Sequence, residues 1–190
     1  MMLEFENQVK NFTGTRRIFL PYFEKSLKVL AKLPKFKAKK YQGTFAARDP
    51  KNVGKNLSKK IIYAGVAQES KIMLTIVGDS EIHVLNREYR GVDKPTDVLS
   101  FSYFGEERFP GDDVVGEIVI SLPTAKKQAK DHGKTLQEEL QFLFIHGLLH
   151  VFGFDHIKKA ERKVMFDLQD KIIGNKSWRK IADEEAEEVY

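Results

Sequence analysis

The stretch LQEELQFLFIHGLLHVF, residues 136–152, becomes apolar on nearly all faces towards its end. A helix with no polar face cannot lie on a surface, so this one must be the buried central helix of the fold. Thr135 with Glu138 gives it a capping box at its start. Its buried half carries His146 and His150, four residues apart and therefore on one face. Gly153 can end the helix in a left-handed conformation and turn the chain back, which brings His156 towards the other two. Three imidazoles and an open position form the arrangement of a catalytic zinc site, whereas structural sites are usually closed by four ligands, mostly cysteine. The chain has five histidines, and three of them fall within the eleven residues HGLLHVFGFDH. That clustering favours metal ligation over three separate packing roles.

The spacing matches the long metzincin protease signature H-E-x-x-H-x-x-G-x-x-H at every fixed position but one. Gly147 stands where the glutamate general base belongs. Such a site keeps the metal and its activated water but lacks the usual proton acceptor. The expected chemistry is hydrolysis other than ordinary peptide cleavage. A metalloprotease-like hydrolase is the competing enzyme class.

A chain of 190 residues suffices for one domain with a sizeable core. The absence of cysteine removes disulfides, thiolate nucleophiles and cysteine-based metal sites, and suits a reducing cytoplasm. No apolar run approaches a membrane span, and the start MMLEFENQVKNF lacks the pattern of a signal peptide. A cytoplasmic protein is expected. The net charge of +5 is uneven: residues 35–60 hold nine Lys or Arg against the single acid Asp49. With Phe36, Tyr41 and Phe45 interleaved, this segment suits either a polyanion such as RNA or a solvated loop.

Periodicity and punctuation give an α+β reading with α/β-like layers. A small mixed sheet packs against several helices, with the metal-bearing helix buried in a zincin-like arrangement. The expectation is a single domain over 1–190, with a basic insertion or loop at 34–60 and a polar tail at 175–190. LEFENQV, KIIYAGVA, KIMLTIV, DVLSFSY and GEIVIS read as strands. Residues 16–33 read as a helix that Pro34 stops, with its start as late as Pro21. A short helix capped by Asp79 or Ser80 runs to about Tyr89 and ends at Gly91. Another opens at Pro123 and stops at Gly133. The last spans Lys158 to Ile173, with Val164, Met165, Leu168 and Ile172 inward.

The segment LNREYRGVDKPTDVLSF concentrates polar groups around a helix end and a strand start. Arg90 precedes the helix-ending Gly91, and its guanidinium can hold a phosphate through two parallel hydrogen bonds. Asp93, Thr96 and Asp97 around Pro95 read most simply as a turn. Spacing alone does not bring this segment to the histidines. His83 and His132 read as structural, His132 being favoured at a helix C-terminus by the dipole.

NREYRGVDKPTDVLSF, GEIVIS and HGLLHVFGFDH, in that order, resemble the YbeY family of bacterial endoribonucleases, the rRNA maturation factors. The likeness runs from about Leu74 to Met165. It implies a metal site of one Zn2+ at His146, His150 and His156, or another divalent first-row ion on the same imidazoles. It also implies a functional arginine at Arg90 in a groove near the metal. Lys94, in the same segment, is expected as a further substrate contact. The activity implied is cleavage of single-stranded RNA in maturing the 3′ end of small-subunit ribosomal RNA, and in ribosome quality control. The implied partners are rRNA and the ribosome or its small subunit, with neither DNA nor membrane. Glu117 stands where the family more often has aspartate, and the basic segment is longer than the family's usual connection. Asp155 suits either a partner that orients an imidazole or a turn residue. A non-catalytic, zinc-stabilised RNA-binding factor of the ribosome is the alternative from a third class.

Overall fold

The computed structural model describes residues 1–9, 12–33, 70–103, 113–175 and 178. The expected strand KIIYAGVA, the basic segment 34–60 and nearly all of the polar tail lie outside these residues. Among the described residues the chain forms β1 (Met2–Asn7), α1 (Thr15–Leu30), β2 (Lys71–Val77), α2 (Asp79–Arg90), β3 (Val98–Ser102), β4 (Val114–Ser121), α3 (Leu122–Asp131), α4 (Leu136–Val151) and α5 (Lys159–Ile173). The four strands make one mixed sheet in the order β1-β2-β4-β3. β1, β2 and β4 run parallel, while β3 joins the edge antiparallel to β4. The α+β class expected from the pattern is the one observed.

Side chains alternate across the sheet with the period of two that strands impose. Ile72, Leu74 and Ile76 of β2 and Ile118 and Ile120 of β4 join the main core with α1, α4 and α5. Val77, Leu99 and Val119 project the other way and pack with Ile82 of α2. The sheet is therefore covered on both faces. α4 is buried along most of its length, as a helix without a polar face requires.

Two glycines let α4 settle onto the sheet. A Cβ on Gly116 would lie 2.9 Å from the Phe101 carbonyl oxygen and 2.4 Å from Cγ1 of Val151 in the last turn of α4. A Cβ on Gly147 would lie 3.1 Å from Ile118 Cγ2 and 3.3 Å from Val98 Cγ2. A side chain at Gly116 would force a shift of helix or sheet, and one at Gly147 would crowd Ile118 and Val98, which would have to give by a few tenths of an ångström. The position that departs from the protease signature thus faces the sheet.

Three local expectations need correction. α1 begins at Thr15 and carries Pro21 inside it, exposed on its outer side. The N-cap of α2 is Gly78, not Asp79 or Ser80. Asp79 instead accepts hydrogen bonds from Ser121 Oγ and, at 2.7 Å, from Thr124 Oγ1. A carboxylate in the first turn is favoured by the helix dipole, and these bonds also tie α2 to the start of α3. Met165, Leu168 and Ile172 face inward as expected, and Val164, half-buried, packs against the same core. Trp178, placed by sequence in the polar tail, is 3% exposed and stacks on Phe142 with ring centroids 4.5 Å apart.

Candidate metal centre

The end of α4 builds the site. Gly153 sits at φ 82°. Its N–H donates to the His150 carbonyl at 2.8 Å, and the Phe154 N–H to the Leu149 carbonyl at 3.0 Å. This pair of bonds is a Schellman motif, and it reverses the chain within two residues. The reversal brings the Phe154 carbonyl back over His150, 2.9 Å from its Nδ1. It also delivers His156 to the other two histidines. One ligand atom from each of His146, His150 and His156 lies within 4.8 Å of the others, the only such group among the described residues.

The hydrogen bonds fix which nitrogen each helix imidazole presents. A carbonyl oxygen only accepts, so His150 Nδ1 carries its proton and donates to Phe154. His146 Nδ1 lies 3.3 Å from Gln169 Oε1 and donates in the same sense. In the neutral rings both Nε2 atoms are then left with lone pairs, and these face each other across 2.9 Å. Two lone pairs that close repel unless a cation draws them together. The donor set thus fits a divalent ion bound by neutral imidazoles.

Electrostatics agree. Burial lowers the pKa of His146 to about 4, with the nearby His156 adding to the effect. Burial and the two neighbouring histidines hold His150 well below its ordinary value. His156 is lowered mainly by burial, against the opposing charge of Asp155. Neutral rings at physiological pH are the state a metal needs.

These shifts carry a pH prediction. The folded-state pKa values lie below the unfolded value of 6.5, so the unfolded chain takes up protons first as the pH falls. The metal-free protein should keep this contribution above about pH 6.5 and lose it as pH falls towards 4. Thermal melts across that range should show Tm falling with pH, and less steeply in a His146→Asn variant. Equal slopes would contradict the assignment.

Arg90 ends α2 and is exposed. Its charge reaches the cluster, lowering the pKa of both His150 and His156. Its backbone is held from behind. Gly91 takes φ 69°, and the buried Asn86 donates from Nδ2 to the Lys94 carbonyl at 2.8 Å. His83 meets Asp93 at 2.8 Å, which clamps the following turn onto α2. Lys94 is exposed on that turn. Asp97 is within electrostatic reach of His146, and its carboxylate accepts from the Val98 N–H at 2.7 Å and from Gln128 Nε2 at 3.0 Å. Asp155 accepts the His156 backbone N–H at 2.7 Å, a turn role, while its charge favours the His156 cation. His132 pairs with the buried Glu139 at 3.1 Å, away from the cluster. Glu117 lies half-buried on β4.

Sequence reasoning missed Gln169, the Phe154 carbonyl and Arg162, whose Nε donates to the His156 carbonyl at 3.2 Å. Only Gln169 left a signal: a polar residue on the inward stripe of α5, between Met165 and Ile172.

A family model described as Endoribonuclease YbeY matches residues 37–176. Curated relatives of the same name include one from Pelotomaculum thermopropionicum, 43% identical over 113 residues that cover 58% of this chain and 74% of the relative. Another, from Moorella thermoacetica, is 45% identical over 125 residues, covering 61% and 79%. The fold is similar to the solution structure of TM1509 from Thermotoga maritima, with a TM-score of 0.50 and 23% identity over 98% of this chain and 95% of that one. That likeness bears on the fold alone. Among the described residues no helix is long and apolar enough to cross a membrane.

Proposed function

Because the chain belongs to the YbeY endoribonuclease family, we propose that it is a metal-dependent endoribonuclease cutting single-stranded RNA at the three-histidine centre. Its expected substrate is the 3′ end of small-subunit ribosomal RNA, with a further role in ribosome quality control, which makes the small subunit its partner and the cytoplasm its compartment. One domain over 1–190 would carry the site, and the basic segment 34–60 would gather RNA electrostatically.

The observation that carries this reading is the orientation of the two helix imidazoles. Both Nδ1 atoms are committed to acceptors, and both Nε2 lone pairs converge at 2.9 Å. His146, His150 and His156 would hold one Zn2+, or another first-row divalent ion with the same ligands. Such an ion lowers the pKa of bound water towards about 7 and polarises a phosphoryl oxygen. Arg90 would bind a phosphate oxygen near the scissile bond and stabilise negative charge that develops there. Lys94 would meet a neighbouring phosphate. Phe154 and Gln169 keep two of the ligands in the required tautomer.

Arg90→Ala should retain its metal and lower kcat/KM on single-stranded RNA about 10²–10³-fold, the usual effect of losing a donor aimed at transition-state charge. Full activity in that variant would favour the non-catalytic reading, in which the metal holds the fold and RNA binding needs no arginine at the centre.

A further inference from the structure

Gln169 lies on the inward face of α5, 3% exposed, between Met165 and Ile172, which are both fully buried. An apolar side chain there would need no partner, whereas a buried amide does. Its Oε1 is 3.3 Å from His146 Nδ1. The His146 ring is braced on another side by Phe142, stacked at 6.1 Å, which Trp178 backs in turn at 4.5 Å. Packing thus holds the plane of the imidazole, and the bond at Nδ1 decides which nitrogen carries the proton.

We propose that Gln169 is a positioning residue: its amide oxygen accepts a hydrogen bond from His146 Nδ1–H, keeps the proton on that nitrogen so that the Nε2 lone pair faces the shared centre, and does so without adding negative charge there. The proposal rests on the metal reading given above. Metal-bound imidazoles commonly donate to a carboxylate, a backbone carbonyl or water. Here the partners of His146 and His150 are an amide and a backbone carbonyl, both neutral. With neutral partners on both helix imidazoles, the charge of a bound ion would not be reduced through them, which suits an anionic phosphodiester. A glutamate at 169 would place a negative charge in hydrogen-bond contact with a ligand, making the imidazole more basic and the centre less attractive to phosphate.

The test compares the wild type, Gln169→Met and Gln169→Glu. Zinc affinity is read by chelator competition, binding of inorganic phosphate to the zinc-loaded protein by calorimetry, and the His146 tautomer by ¹⁵N chemical shifts. Gln169→Met, close in length and shape, should lose about 10- to 100-fold in zinc affinity, with the Tm of the metal-free protein followed separately because His146 Nδ1 loses its acceptor. Gln169→Glu should hold zinc at least as tightly and bind phosphate roughly tenfold more weakly. Unchanged zinc affinity and an unchanged tautomer in Gln169→Met would overturn the positioning role. Unchanged phosphate binding in Gln169→Glu would overturn the charge role. A wild type that takes up no zinc would overturn the metal reading itself, and this proposal with it.

Discussion

His150→Ala is expected to lose its bound metal and to bring RNA cleavage to background. Of the three candidate ligands, His150 is strongly committed by its surroundings: 7% exposed, with Nδ1 donating to Phe154 and Nε2 facing His146. Alanine would remove one of the three proposed ligands, and catalytic sites of this kind use three protein ligands. Water activation is lost with the ion. The substitution also leaves a cavity and frees the Phe154 carbonyl, so stability must be followed separately. Metal content by elemental analysis, cleavage of a labelled single strand and a thermal melt separate the two effects. A folded His150→Ala protein that keeps both metal and activity would refute the ligand assignment.

The second large effect concerns Gly147. Replacing it with glutamate would complete the protease signature, and by sequence alone this should restore a general base. The fold predicts otherwise. Position 147 faces Ile118 and Val98, with even a Cβ at 3.1 and 3.3 Å from their methyl carbons. A glutamate there would have its carboxylate driven into the contact between α4 and the sheet, with no partner. The expected cost is about 3–5 kcal/mol, the range for an uncompensated buried charge. Gly147→Glu should therefore lower Tm sharply and show no peptidase activity on casein. A stable Gly147→Glu protein that cleaves casein would revive the metalloprotease reading.

The same residue shows how far the sequence could be read. Gly147 was visible as a departure from the protease pattern, but the reason for it lies in a contact with residues 29 and 49 positions away. Buried α4, its capping box at Thr135 and the turn at Gly153 follow from local periodicity and stereochemistry, so the chain displays them directly. The three histidines share one short stretch, which made the centre readable as well. Arg90 is different. Nothing in its spacing brings it to the histidines. Its electrostatic reach to His150 and His156 depends on how α2 lies against the sheet. The roles of Gln169 and the Phe154 carbonyl are hidden for a related reason: a backbone acceptor has no side-chain signature, and a lone polar residue on an apolar stripe, though visible, names no partner. Asp79 is a good capping residue by type, yet the N-cap of α2 is Gly78. The Asp79 carboxylate is instead engaged by Ser121 and Thr124, a tertiary contact that overrides local preference.

The most direct test of the central claim is a metal titration of the chelator-stripped protein, scored by cleavage of a single-stranded RNA. The account predicts no cleavage before addition and a rise that saturates at about one zinc per chain, with the duplex form of the same RNA left intact. Full cleavage by the stripped protein, or zinc uptake without any gain in activity, would contradict it.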